Sequence, residues 1–333
     1  IQYRKFEIHG RHIVDTLFLV QFHDVGAREL ESFGLKAAAR HFGVAEDDRV
    51  ELGAHEITES HQQERATFEK YALQDVRETR ALSAALSPAW FTQTTIFPYN
   101  YQDVVIRGNA TKINSLFLRE YLRQGQSIPA LPEVRRFEGG YTDVFFTGVA
   151  RDVWHCDIAS LYPSVMLAFG YLPESDTLGV FGDMLARLRK FRLEAKSAMR
   201  SAKGAEKSHL DALQGTFKIL INSFYGYLGF AQGNFADFEA AAAVTAKGRE
   251  LLRGMVEWLR QRGADVIEID TDGIYFTPPK DASWDGLYRE LAATLPDGIE
   301  VEFDARYAAM FSYKAKNYAL LTEDGKLSIK GAA

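Results

Sequence analysis

Three short stretches, far apart in the chain, hold residue types that together could move a phosphoryl group. They are Asp157 to Ser164 (DIASLYPS), Lys218 to Gly226 (KILINSFYG) and Asp270 to Gly273 (DTDG). The first and third set aspartates at the ends of apolar runs. Asp270 and Asp272 are two apart, which points both side chains to one side if strand geometry persists. Hard cations such as Mg²⁺ take a few carboxylate oxygens, with water and substrate phosphates completing the shell. Two such ions ~3.5–4 Å apart stabilise both the attacking and the leaving oxygen of an in-line displacement. Taken alone, Asp-Thr-Asp-Gly also reads as a simple turn, because Asp and Gly favour turns.

The second stretch brings cations. Arg187, Arg189, Lys190, Arg192, Lys196, Arg200, Lys203 and Lys207 crowd one segment, with Arg192 and Lys196 four apart on one helix face. Lys218, Asn222 and Tyr225 follow at i, i+4 and i+7, again one face. Inward cations on two facing helices would grip a triphosphate, Arg bidentately and Lys as a point charge. The competing reading is a solvated basic face. Lys218 sits inside the apolar sequence 217–221, where a buried polar group needs a partner.

The elements that must position these groups follow from periodicity and punctuation. Residues 11–22 read as an apolar strand or a buried helix start, and 27–42 and 64–86 as helices. Pro88 to Tyr101 reads as a crossing segment. Residues 109–124 form a helix ended near Gly125, and Gly139-Gly140 forms a turn. A strand over 153–158 precedes a long helix, 181–202. Gly204 turns the chain into a second helix, 206–228, giving an antiparallel helical hairpin. A helix over 238–262 stops at Gly263. Residues 266–269 and 274–277 make a hairpin around Asp270-Thr271-Asp272-Gly273, and 299–303 and 317–322 are further strands.

Bulk composition narrows the class. The chain has 333 residues, enough for two or three domains, and a formal charge of −6, so it is not globally basic. A local basic surface can still serve a nucleic acid. No run approaches the ~20 apolar residues of a membrane span, so no membrane partner is expected. The one cysteine, Cys156, fits a reducing compartment and reads as a small buried strand residue. A start at Ile1 and an end at Lys330-Gly331-Ala332-Ala333 suggest a fragment.

These motifs resemble the family B (α-like) DNA polymerases, in shape closest to compact bacterial polymerase-II-like members. Asp157 to Ser164 resembles the first palm motif, D-x-x-S-L-Y-P-S. Lys218 to Gly226 matches the fingers motif K-x-x-x-N-S-x-Y-G at every fixed position. Asp270 to Gly273 resembles D-T-D-S with Gly273 for serine. Phe137-Glu138-Gly139-Gly140 resembles the Y-x-G-G linker, and Lys314 to Tyr318 (KAKNY) is a looser relative of K-K-x-Y. Tyr71 to Asp75 resembles the Y-x-x-x-D motif of the proofreading exonuclease. The motifs occur in the family's order along almost the whole chain.

The resemblance implies an α/β (α+β) fold: a palm with an antiparallel sheet and packed helices, antiparallel helical-hairpin fingers, and a preceding partial RNase H-like exonuclease domain. It implies the C-terminal part of a 3′-5′ exonuclease domain over 1–90, a linker and entry to the palm over 91–150, and palm over 151–180. Fingers follow over 181–230, palm again over 231–315, and a palm–thumb junction with a truncated thumb over 316–333.

Asp157 and Asp272 are implied ligands of two Mg²⁺ ions, with Mn²⁺ as a substitute. Asp270 would assist them, and the Ile158 carbonyl would add an oxygen. Ser160, Leu161, Tyr162, Arg192, Lys196, Lys218, Asn222 and Tyr225 would bind the nucleotide. Among these, Tyr162 would lie under the sugar and exclude a 2′-hydroxyl, while Asn222 and Tyr225 line the nascent base pair. Thr271, Gly273, Lys316 and Tyr318 would contact the primer.

Tyr71 and Asp75 would be an exonuclease remnant without its upstream carboxylates, so proofreading is not expected. The short separation of Asp157 from Lys218 favours nucleic-acid priming over protein priming. The implied activity is template-directed transfer from a dNTP to a primer 3′-hydroxyl with release of pyrophosphate. Implied partners are DNA primer-template and dNTPs in the cytoplasm, at the nucleoid, with any sliding clamp or other replication factor unspecified. Two alternatives stay open: a catalytically impaired nucleic-acid-binding scaffold derived from a polymerase, and another two-metal nuclease or phosphotransferase.

Overall fold

A computed structural model describes residues 5–27 and 30–331. The chain divides into two compact units, one from Ile1–Gly125 and Arg187–Ile221, the other from Gln126–Ala186 and Asn222–Ala333.

The described part of the first unit begins with α1 (Thr16–Ala27), α2 (Leu35–His41), α3 (Ile57–Gln63), α4 (Arg65–Gln93), α5 (Tyr101–Ile106) and α6 (Asn109–Arg123). Helix α4 is its spine, and α1, α2, α3 and α5 pack against it. Pro88 lies inside this 29-residue helix rather than starting a crossing segment. Leu82, Leu86, Ala89 and Trp90 stay buried at three-to-four spacing through the proline. Their burial outweighs the one backbone hydrogen bond that the imino acid removes. Residues 11–22 resolve as the helix alternative, from Thr16 onward. Of 27–42 only Leu35–His41 is a separate helix, while residues 28 and 29 lie outside the described residues. Among its described residues this unit has no strand beyond the single bridge Ile8–Arg11.

Helices α8 (Val180–Met199) and α9 (Gly204–Leu228) are joined at Gly204, whose φ of +54° suits a residue without a Cβ. Phe191 and Phe217, one from each helix, pack with ring centroids 4.9 Å apart.

Among its described residues the second unit is built on seven antiparallel strands: β1 (Tyr141–Val144), β2 (Gly148–Ile158), β3 (Asp265–Thr271), β4 (Gly273–Thr277), β5 (Val301–Lys314), β6 (Asn317–Leu321) and β7 (Leu327–Lys330). They pair in the order β1-β3-β4-β2-β5-β6-β7. Helices α7 (Leu161–Phe169), α10 (Phe238–Gln261) and α11 (Trp284–Ala292) complete the unit. Helix α10 packs on α7, β1 and β3, and α11 on β5. Asp237 caps α10 by accepting from the N–H groups of Glu239 and Ala240. Trp284 of α11 meets Trp154 of β2 and Phe303 of β5. Gly139-Gly140 is not assigned as a turn; the two glycines lie in an irregular segment that leads directly into β1. Cys156 is fully buried in β2.

Candidate active site

The alternation of β2 sends Trp154 and Cys156 to one face and His155 and Asp157 to the other. On the second face, register aligns four strands: Asp270 of β3 lies opposite Gly273 of β4, Gly273 opposite Asp157, and Asp157 opposite Glu302 of β5. Thr271, the last residue of β3, and Asp272 form the tip of the β3–β4 hairpin, with Thr271 at φ +68°. The Asp272 carbonyl accepts from the N–H of Ile158 at 3.0 Å, tying the tip to the end of β2. Strand pairing thus sets Asp157 beside Asp272.

Asp157 is the electrostatically unusual member. Its Oδ1 is buried and has no hydrogen-bond partner. Burial raises its pKa to about 6, and repulsion from Asp304, Asp272 and Glu302 adds to the rise, while His155 opposes it. An orphaned carboxylate oxygen among like charges is suited to a cation, so the residues fit a divalent metal.

Asp270 is placed differently. Its Oδ2 accepts from the Tyr318 hydroxyl at 2.9 Å, and the Lys316 ammonium is 3.7 Å from its Oδ1. Lys316 also donates to Thr271 Oγ1 at 3.0 Å, and its backbone N–H donates to Glu268 at 2.7 Å. Tyr318 is buried, and its hydroxyl lies 3.3 Å from that of Tyr275. Lys316 and Tyr318 therefore brace Asp270 and the hairpin tip. Among the described residues no three His, Cys, Asp or Glu side chains group closely enough to form a metal cage. Asp270 has Tyr318 and Lys316 as partners of its own, while Asp272 is tied to the end of β2 through the Ile158 N–H.

His155, Glu302, Asp304, Glu268 and Arg249 escaped the sequence reading. His155 Nδ1 lies 2.5 Å from Asp304 Oδ1, and its ring rests on Tyr275 with centroids 4.3 Å apart. A Cβ added at Gly273 would overlap His155 Nε2 and stand 2.9 Å from its Cε1. The imidazole thus fills the space that a side chain at position 273 would take. The i, i+2 relation of His155 to Asp157 was a readable signal. Glu302 and Asp304 come from register across β5, which no local pattern encodes.

Ser160 caps α7 at φ +50° without a side-chain cap bond. The first N–H groups of α7, those of Leu161 and Tyr162, lie in the turn where a helix has no internal acceptors. Tyr162 stacks on Tyr225 with centroids 4.3 Å apart, and burial raises its phenol pKa to about 12.

In the first unit, Arg192 and Lys196 are half-buried on α8, and Lys218 is exposed on α9. Phe217, Leu220 and Ile221 around Lys218 are buried, so helical periodicity turns the lysine outward. It needs no buried partner, contrary to the expectation from its apolar neighbours. Asn222 is likewise exposed and Tyr225 half-buried, one stripe along α9.

Asp75 is ion-paired with Arg49, whose Nε also lies 2.8 Å from buried Glu78. Lys36 and Arg49 stand over the Tyr71 ring at 5.2 and 5.3 Å.

No helix among the described residues is long and apolar enough to cross a membrane. A model of DNA polymerase family B matches residues 169–332, which include Lys218, Asp270 and Asp272. The DNA polymerase of Archaeoglobus fulgidus is 31% identical over 285 residues, 78% of this chain and 36% of that protein. DNA polymerase 2 of Aeropyrum pernix is 28% identical over 367 residues, 99% of this chain and 44% of the relative. The solved family B DNA polymerase of Pyrobaculum calidifontis superposes with a TM-score of 0.72 at 26% identity, covering 98% of this chain and 46% of that one. The chain spans less than half the length of these relatives. Sequence and fold agree: the chain belongs to DNA polymerase family B.

Proposed function

We propose that this chain carries the nucleotidyl-transfer site of a template-directed DNA polymerase. The observation that carries the reading is the buried, unpartnered Oδ1 of Asp157 beside Asp272 at adjoining strand ends. Asp157, Asp272 and the Ile158 carbonyl would hold two Mg²⁺ ions, with Mn²⁺ as a substitute. Bound there, such ions supply charge stabilisation to the attacking 3′-oxygen and the departing pyrophosphate. Asp270, braced by Tyr318 and Lys316, fixes the hairpin that presents Asp272.

The protein's share is orientation and electrostatics. Ser160 and Leu161 offer the start of α7 to phosphate oxygens. Arg192, Lys196 and Lys218 balance the triphosphate charge. Tyr162 lies under the sugar and turns away a 2′-hydroxyl, and Asn222 and Tyr225 line the nascent base pair. Thr271, Gly273 and Lys316 border the primer terminus, and Tyr318 acts on it through Asp270. Under this reading residues 151–180 and 231–315 are palm, 181–230 fingers, 91–150 the linker and entry to the palm, and 316–333 the junction to a thumb. Residues 1–90 belong with an exonuclease domain, in which Tyr71 and Asp75 are structural because Arg49 already holds the carboxylate. The partners are primer-template DNA and dNTPs.

Primer extension with Mg²⁺ tests the reading. Asp157→Ala lowers the rate by more than about a thousand-fold. Equal extension by parent and variant contradicts the reading.

A further inference from the structure

The glycine pair before β1 has a role of its own. Gly140 is not at positive φ, so its backbone accepts an L side chain. Its surroundings do not. A Cβ built there overlaps the Tyr162 hydroxyl and sits 3.7 Å from Cζ, an ordinary contact. Only the phenolic oxygen objects.

The strap on which Gly140 lies is tied down on its other side. Thr245 of α10 donates to the Glu138 carbonyl at 2.8 Å. The Arg249 guanidinium donates to the Glu138 carbonyl at 3.2 Å and the Gly139 carbonyl at 2.6 Å. The Tyr162 ring is confined as well. It stacks on Tyr225, and a Cβ on Gly248 of α10 would stand 3.4 Å from its Cε1.

We propose that the strap 138–140, pinned to α10 by Thr245 and Arg249, is the backstop that sets the position of Tyr162, with Gly140 as a positioning residue for sugar selection. The inference rests on the polymerase reading, in which Tyr162 meets the sugar. A ring closed in by backbone on one side and Tyr225 on another holds its place without the entropy cost of a mobile side chain. Selection against one added hydroxyl depends on such placement, because the hydroxyl itself is small.

The test is a double-mutant cycle of Gly140→Ala and Tyr162→Phe. Melting temperature and the kcat/KM ratio for dNTP over rNTP are measured in primer extension. Gly140→Ala pushes the phenol aside and lowers the ratio roughly ten-fold. In the Tyr162→Phe background the added methyl meets no oxygen, so the same substitution leaves both ratio and melting temperature nearly unchanged. Equal effects in both backgrounds, or an unchanged ratio in folded Gly140→Ala, overturn the inference. Should Gly140→Ala not fold, Thr245→Val loosens the strap instead. A lowered ratio then supports the backstop and an unchanged ratio overturns it. A parent protein that extends with neither nucleotide defeats the polymerase reading itself, and the inference with it.

Discussion

Two groups of carboxylates, one in each unit, meet the same physical problem with opposite solutions. In the helical unit, Asp75 and buried Glu78 share one guanidinium, that of Arg49. In the sheet unit, Asp157 is half-buried near Asp272, Glu302 and Asp304, and its Oδ1 has no hydrogen-bond partner. Burying a carboxylate is costly unless a cation or hydrogen bonds compensate. The first group carries its cation in the fold. The second has no such cation in the fold, and under the proposed function a metal ion would take that place. Under the proposed function, the cluster with a built-in guanidinium is architecture and the one that repels itself is the site.

The largest expected effect breaks the first group. Arg49→Met strands two carboxylates and lowers stability by about 3–5 kcal/mol in urea unfolding. An unaffected midpoint would mean that the ion pairs contribute nothing. The second group responds in the opposite sense. Asp157→Asn removes repulsion and raises the melting temperature in EDTA, while primer extension is lost. A lower melting temperature in EDTA would contradict the electrostatic account.

Gly273→Ser probes the packing beside the site. The new side chain collides with His155 and costs about 1–3 kcal/mol, and His155→Ala in the same chain restores most of the loss. Equal destabilisation in both backgrounds would show that His155 is not the obstacle.

Lys112 offers a third solution, loss of charge. It is fully buried on α6, donates to Gln93 Oε1 at 3.0 Å and lies 4.6 Å from the Trp90 ring centroid. Burial lowers its pKa from 10.5 to about 7. Between those values the unfolded chain binds the extra proton, so this group makes stability rise with pH from about 7 toward 10.5 and leaves it lowest below 7. Lys112→Met flattens that slope in pH-dependent thermal melts, and an unchanged slope would reject the assignment. The smallest effect is that of Tyr318→Phe, which removes the bond to Asp270 and costs about 1 kcal/mol.

Much of this was legible in the sequence because the site residues end strongly patterned elements. The hairpin 265–277 and helices α8, α9 and α10 follow from alternation, three-to-four spacing and the stops at Gly204 and Gly263. Helix α7 was not assigned from the sequence, although Pro163 is harmless in a first turn. Strand β5 runs on to Lys314, well past the expected 299–303, although the clear alternation of 301–307 could have carried that expectation further. The bracing of Asp270 by Tyr318 and Lys316 was not legible. It depends on Tyr318, which register across the sheet brings to the hairpin.

The most direct test of the central claim is Mn²⁺ binding by electron paramagnetic resonance, comparing the parent protein with Asp157→Asn, Asp272→Asn and Asp75→Asn. The account predicts that binding is lost in the first two and unchanged in the third. Binding that survives Asp157→Asn, or disappears with Asp75→Asn, would contradict it.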